Sequence, residues 1–206
     1  MLLIYPSIEY EINTQTRIFR EAAGYTQEEF AFLIGRDPSE VAACEDLASA
    51  ESYSLYHLNR YARILGKVPA DFVLEGSDED VIKINARKTV YPNKTVYRGE
   101  RIYLDGRKEK LEPYEIITKT KALNPSEEQR MLELFDGLLK AGYFQTGKTG
   151  FEIHQHVLTC WSGPFRVQLL IDGLSTLSSR RKRPKLLPMR QAPKTPEKWL
   201  LYKEDK

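Results

Sequence analysis

Apolar positions in the first third of the chain recur at spacings of three and four, in short blocks that each end in or near a glycine. Ile18, Phe19 and Ala22 share one helical face, and Gly24 closes it. Phe30, Leu33 and Ile34 form the next face, ended by Gly35. Thr26-Gln27-Glu28-Glu29 before it reads as a capping box, with the Thr26 hydroxyl and the Glu29 carboxylate serving each other's backbone amides. Asp37 and Pro38 open a third helix carrying Val41 and Cys44 inward. Ser54 caps a fourth, with Leu55, Leu58, Tyr61, Ala62 and Leu65 inward and Gly66 at its end.

The period then changes. After the acidic joint Ser77–Asp80, β-branched and aromatic residues alternate with polar ones as far as Leu123, and Asp105-Gly106 marks a hairpin turn. Helical spacing returns at Asn124-Pro125, which open a helix with Met131, Leu132, Leu134, Phe135, Leu138 and Leu139 inward and Gly142 at its C-terminal end. Residues 151–161 fit a strand or a helix. A strand implies a winged-helix or α+β module; a helix implies a three-helix module, such as a second helix-turn-helix. Pro164 opens a last amphipathic helix that runs to about Ser179. The pattern predicts an α+β protein in three segments: helices over 1–76, a small antiparallel sheet over 77–123, and a mainly helical module over 124–206.

Composition fits a globular chain of 206 residues, 41% hydrophobic and 29% charged. No apolar run approaches a membrane span, and MLLIYPSIEYE is too acidic and too short for a signal peptide. Cys44 and Cys160, far apart and alone, suit a reducing compartment, so a cytoplasmic protein is expected. The net charge of +2 is unevenly spread: −6 over residues 1–76, +3 over 77–123 and +5 over 124–206. An acidic head and a basic body predict separate modules with separate partners.

The stretches FREAAGYTQEEFAFLIGRDPSEVAACE and YSLYHLNRYARILGKVPADFVL resemble the XRE (Cro/C1-type) helix-turn-helix family. Phe19 to Gly24, Thr26 to Glu29, Ala31, Gly35, Glu45 and Leu65-Gly66 fall on family positions. The resemblance implies that the second and third helices form a DNA-reading unit, the third lying in the major groove. It implies DNA contacts from Thr26, Gln27, Arg36, Ser39, Glu40 and Ala43, with Gln27 on the DNA backbone. Two functions follow. One is a dimeric, DNA-binding transcriptional regulator of XRE type. The other is a degenerate helix-turn-helix that serves as a protein-interaction adaptor, antitoxin-like or a phage-type inhibitor.

Other features bear on partners. Arg180, Arg181, Lys182, Arg183 and Lys185 form the most basic run, which predicts an anionic partner, nucleic acid first. Arg98, Arg101, Arg107, Lys108 and Lys110 surround Tyr97 and Tyr103, a mixture that suits a solvated face of cross-strand ion pairs. GYFQTGKT (142–149) matches the phosphate-loop pattern G-x-x-x-x-G-K-[ST]. A helix leads into it where a buried strand is required, so it reads as a helix-ending glycine followed by a polar turn. His154, His156 and Cys160 lack a fourth metal ligand. No carboxylate pair or nucleophile–base set stands out, so no catalytic residue, cofactor or metal is expected.

Overall fold

A computed structural model describes residues 2–73, 80–117, 122–182, 184–191 and 199–205. In chain order its elements are β1 (Leu2–Pro6), α1 (Ser7–Ala22), α2 (Gln27–Ile34), α3 (Pro38–Cys44), α4 (Leu58–Leu65), β2 (Val81–Val90), β3 (Lys94–Ile102), β4 (Lys108–Lys110), β5 (Tyr114–Ile117), α5 (Pro125–Lys140), β6 (Lys148–Thr149), α6 (Gly150–Cys160), α7 (Val167–Ser178), β7 (Lys185–Gln191) and β8 (Trp199–Asp205). Short 3-10 turns at Leu55–His57 and Pro69–Phe72 flank α4. With helices and two antiparallel sheets among the described residues, the protein is mixed α+β. No helix of the described residues is long and apolar enough to cross a membrane.

The chain divides into two compact units. The first holds residues 1–27 and 38–121, and the second holds 28–37 and 122–206. The β-rich segment is thus grouped with most of the head, and α2 with the C-terminal module.

In the first unit, β1 to β5 form one antiparallel sheet in the order β1-β2-β3-β4, with β5 also paired to β3. Alternation along β2 turns Ile82, Ile84 and Ala86 inward, where they pack with Tyr5 of β1. The β3–β4 turn closes as the Asp105-Gly106 signal requires: the Gly106 amide donates to Tyr103 C=O at 3.0 Å, and Gly106 has φ +84°.

In the second unit, α5, β6, α6 and α7 are followed by the β7–β8 hairpin, and the sheet order is β6-β8-β7. A helix, a short strand, two helices and a hairpin closing back on the short strand is the order of elements in a winged helix. Asn124 caps α5 by accepting from the Ser126 amide at 3.1 Å. Residues 151–161, left open between strand and helix, are helical almost throughout, and the strand lies just before them at Lys148–Thr149. Two other helix starts differ from the sequence reading. Ser54 makes no capping hydrogen bond and precedes a 3-10 turn, and α7 starts at Val167 rather than Pro164.

Candidate functional site

The head is organised around a buried ion pair. Arg20 on α1 is almost fully buried, and the Glu45 carboxylate just past α3 is wholly so. Arg20 donates from Nε to Glu45 Oε1 and from Nη2 to Oε2, both at 2.6 Å. This is the bidentate fork that a guanidinium and a carboxylate make best. Its Nη1 donates to Tyr25 C=O at 2.6 Å. Two more donors reach the same carboxylate: Tyr53 Oη at 3.1 Å and Gln27 Nε2 at 2.9 Å. Burial works against the Arg20 charge, but its bonds to Glu45 outweigh that and hold its pKa above the ordinary value. Burial, then the Glu45 charge, push the Tyr53 phenol well up, so it stays a donor.

The network engages Gln27, whose Nε2 donates to Glu45 within the first unit. Thr26 and Gln27 are half-buried; Ser39 is exposed, and Glu40 and Ala43 are half-buried on α3. Arg36 falls in the second unit, while Thr26, Gln27, Ser39, Glu40 and Ala43 belong to the first. Sequence reasoning placed Glu45 only as a family position and missed its partner. The available signal was Arg20, a cation close behind the apolar Phe19 face, three residues after Arg17.

The rest of α2 is engaged in the second unit, and six of its residues are buried. The Glu29 carboxylate accepts from the Gln168 amide at 3.1 Å and lies 3.7 Å from Arg166 Nε, so it serves the N-terminus of α7. Gly35 C=O accepts from the Leu200 amide at 3.1 Å. The Phe32 and Tyr202 ring centroids are 6.0 Å apart. A Cβ on Gly150 would lie 2.3 Å from Phe32 C=O, so the start of α6 meets the α2 backbone directly. The helix that should support a DNA reader is a packing element.

A pocket of about 160 Å³ opens in the first unit. Tyr10, Arg17 and Tyr114 line it with Asp46, Leu111 and Glu112. The Arg17 guanidinium covers the Tyr114 ring at 3.8 Å, and Asp46 takes the Lys88 ammonium at 2.6 Å. Its charged walls are mostly satisfied from within the fold.

The phosphate-loop match dissolves into ordinary structure. Gly142 follows α5 with φ +76°, the left-handed conformation expected after a helix end. Lys148 lies on β6, with its ammonium 5.2 Å from the Tyr143 ring centre. Thr149 caps α6: its Oγ1 accepts from the Glu152 amide at 3.2 Å, and its own amide donates to the Glu152 carboxylate at 2.8 Å.

The basic run is partly consumed. Arg180 makes a two-pronged pair with Asp136 of α5, at 2.5 and 3.0 Å, which lowers the Asp136 pKa. Lys185 lies 3.5 Å from Asp205, its register partner on β8. Arg181 and Lys182 are exposed, and Arg183 lies outside the described residues. His154 packs against Phe165 and His156 stacks on Tyr143, so the α6 histidines diverge. The described residues contain no cluster of three or more metal-ligating side chains.

No family model matches the chain, and no curated protein matches it. Among solved structures, the chain is similar to a crystal structure of FeII HppE in complex with substrate, at 22% identity and a TM-score of 0.30. The likeness covers 45% of this chain, which spans 57% of that one. The expectation of a DNA-binding transcriptional regulator is corrected here. At so low a TM-score the likeness carries no argument by itself. The side chains supply the physical reason: Gln27 is turned inward to Glu45, and α2 is buried in the second unit.

Proposed function

We propose that this chain is a non-catalytic protein-interaction adaptor, its head a helix-turn-helix of XRE type turned from nucleic acid to protein. The observation that carries the reading is the Gln27–Glu45 hydrogen bond, which takes the expected phosphate contact into the interior. What the next helix leaves accessible supports it: Ser39 is exposed, with Glu40, Ala42 and Ala43 half-buried around it. Small side chains let a partner surface approach closely, and Glu40 in a head of net charge −6 favours a basic protein over a phosphate backbone. Cys44 and Cys160 are not joined in a disulfide, which suits the cytoplasm.

The test is site-specific photo-crosslinking in cells, with the crosslinker placed at Ser39. The adaptor reading expects a discrete protein adduct that Glu40→Lys abolishes, and no nucleic-acid adduct. A nucleic-acid adduct at Ser39, or a protein adduct indifferent to Glu40→Lys, overturns it.

A further inference from the structure

We infer that β1 is a docking edge for a second copy of this chain, pairing antiparallel with its counterpart about a two-fold axis. Among the described residues, the strand lies at the end of the first unit's sheet and pairs with β2 on one side only. Its hydrogen-bonding phase is set by Ser7, whose amide donates to Asp80 C=O at 2.9 Å. Antiparallel pairing alternates, so Leu3 and Tyr5 also turn their amides and carbonyls to β2. Leu2 and Ile4 therefore present N–H and C=O outward. Pro6 presents only a carbonyl and has no amide to leave unpaired there. The outward edge is self-complementary over Leu2 to Ile4 and stops itself at Pro6.

The side chains make the same case. Leu2 and Ile4 are 58% and 61% exposed, large values for residues of their kind in a sheet. Val81, which registers with Pro6 on the neighbouring strand, is also exposed. Strand edges are normally protected by charge or proline. The other sheet edges of the described residues follow that rule: β4 is Lys-Glu-Lys, β5 holds Glu115, β6 holds Lys148, and β7 holds Lys185 and a central Pro188. From Leu2 to Tyr5, ahead of Pro6, β1 carries neither charge nor proline. An identical strand meets no like-charge repulsion there, and an isologous pair needs only this one patch. A contact between two five-residue strands is small, so the dimer is expected to dissociate on dilution.

Sedimentation equilibrium of the full chain tests this, with Ile4→Lys and Leu2→Lys beside the wild type. Both side chains point to solvent, so both variants should keep the wild-type circular dichroism and melting temperature. The expected result is dimer mass for the wild type at high concentration, falling to monomer on dilution, and monomer mass for the variants throughout. A wild type that stays monomeric overturns the inference, and so does a dimer that survives either substitution in folded protein. Should a variant fail to fold, amide hydrogen exchange of the wild type decides instead. Leu2 and Ile4 amides that slow as concentration rises support the pairing; amides that exchange at one rate at all concentrations refute it.

Discussion

At the scale of single residues, Glu45 carries the most. Four donated hydrogen bonds from Arg20, Tyr53 and Gln27 converge on one fully buried carboxylate. Removing one partner of such a pair leaves a buried charge unanswered, at a cost of about 3–5 kcal/mol. Arg20→Met and Glu45→Ala should each lower urea stability by about that much. Gln27→Ala removes one hydrogen bond to a charged group and should cost about 1.5–3 kcal/mol. A Gln27→Ala variant with unaltered stability would mean the amide is not committed inward. His154 makes a different prediction. Burial depresses its pKa, so it is held neutral in the fold and takes up a proton more readily when unfolded. Its contribution is therefore intact above the ordinary histidine value of about 6.5 and is lost as the pH falls below it. Thermal melts should show stability dropping from neutral to mildly acidic pH, with a smaller drop in His154→Gln. Equal drops would place the sensitivity elsewhere.

At the scale of elements, the α2–α6 contact and the α6 cap give opposite expectations for neighbouring residues. Gly150→Ala drives a Cβ into the Phe32 backbone and should cost about 1–3 kcal/mol or more, because backbone cannot step aside as a side chain does. Thr149→Ala loses the α6 cap and should cost about 1 kcal/mol. Lys148→Ala, one residue earlier, should change stability by only about 0.5 kcal/mol and leave magnesium–ATP binding absent before and after. Saturable nucleotide binding lost with Lys148 would restore the phosphate loop. These elements also show what could be read in the sequence. The α5 start was legible because Asn124 and Pro125 act locally, and so was the Asp105-Gly106 turn. The role of α2 was not: Phe30, Leu33 and Ile34 announce a buried helix but cannot say which unit buries it. Strand β1 was invisible because five residues are too few for a period, and its pairing with β2 spans most of the head. The two-residue β6 exists only through β8, roughly fifty residues on.

At the scale of the whole molecule, the uneven charge survives as a description, but its cations are less available than counting suggests. Arg180 and Lys185 are tied to Asp136 and Asp205. Arg180→Gln should cost no more than about 1 kcal/mol, since the pair is partly solvated. The candidate site was legible as residue types and illegible as geometry. Thr26, Gln27, Ser39 and Glu40 could be named from the resemblance, but that Gln27 faces inward depends on Glu45, eighteen residues away. The central claim is that the head's helices serve the fold and a protein partner. Its most direct test is repeated selection of the full chain against a pool of random DNA duplexes. The account predicts that no sequence motif is enriched. Enrichment of a defined motif, weakened by Ser39→Ala in protein that remains folded, would contradict it.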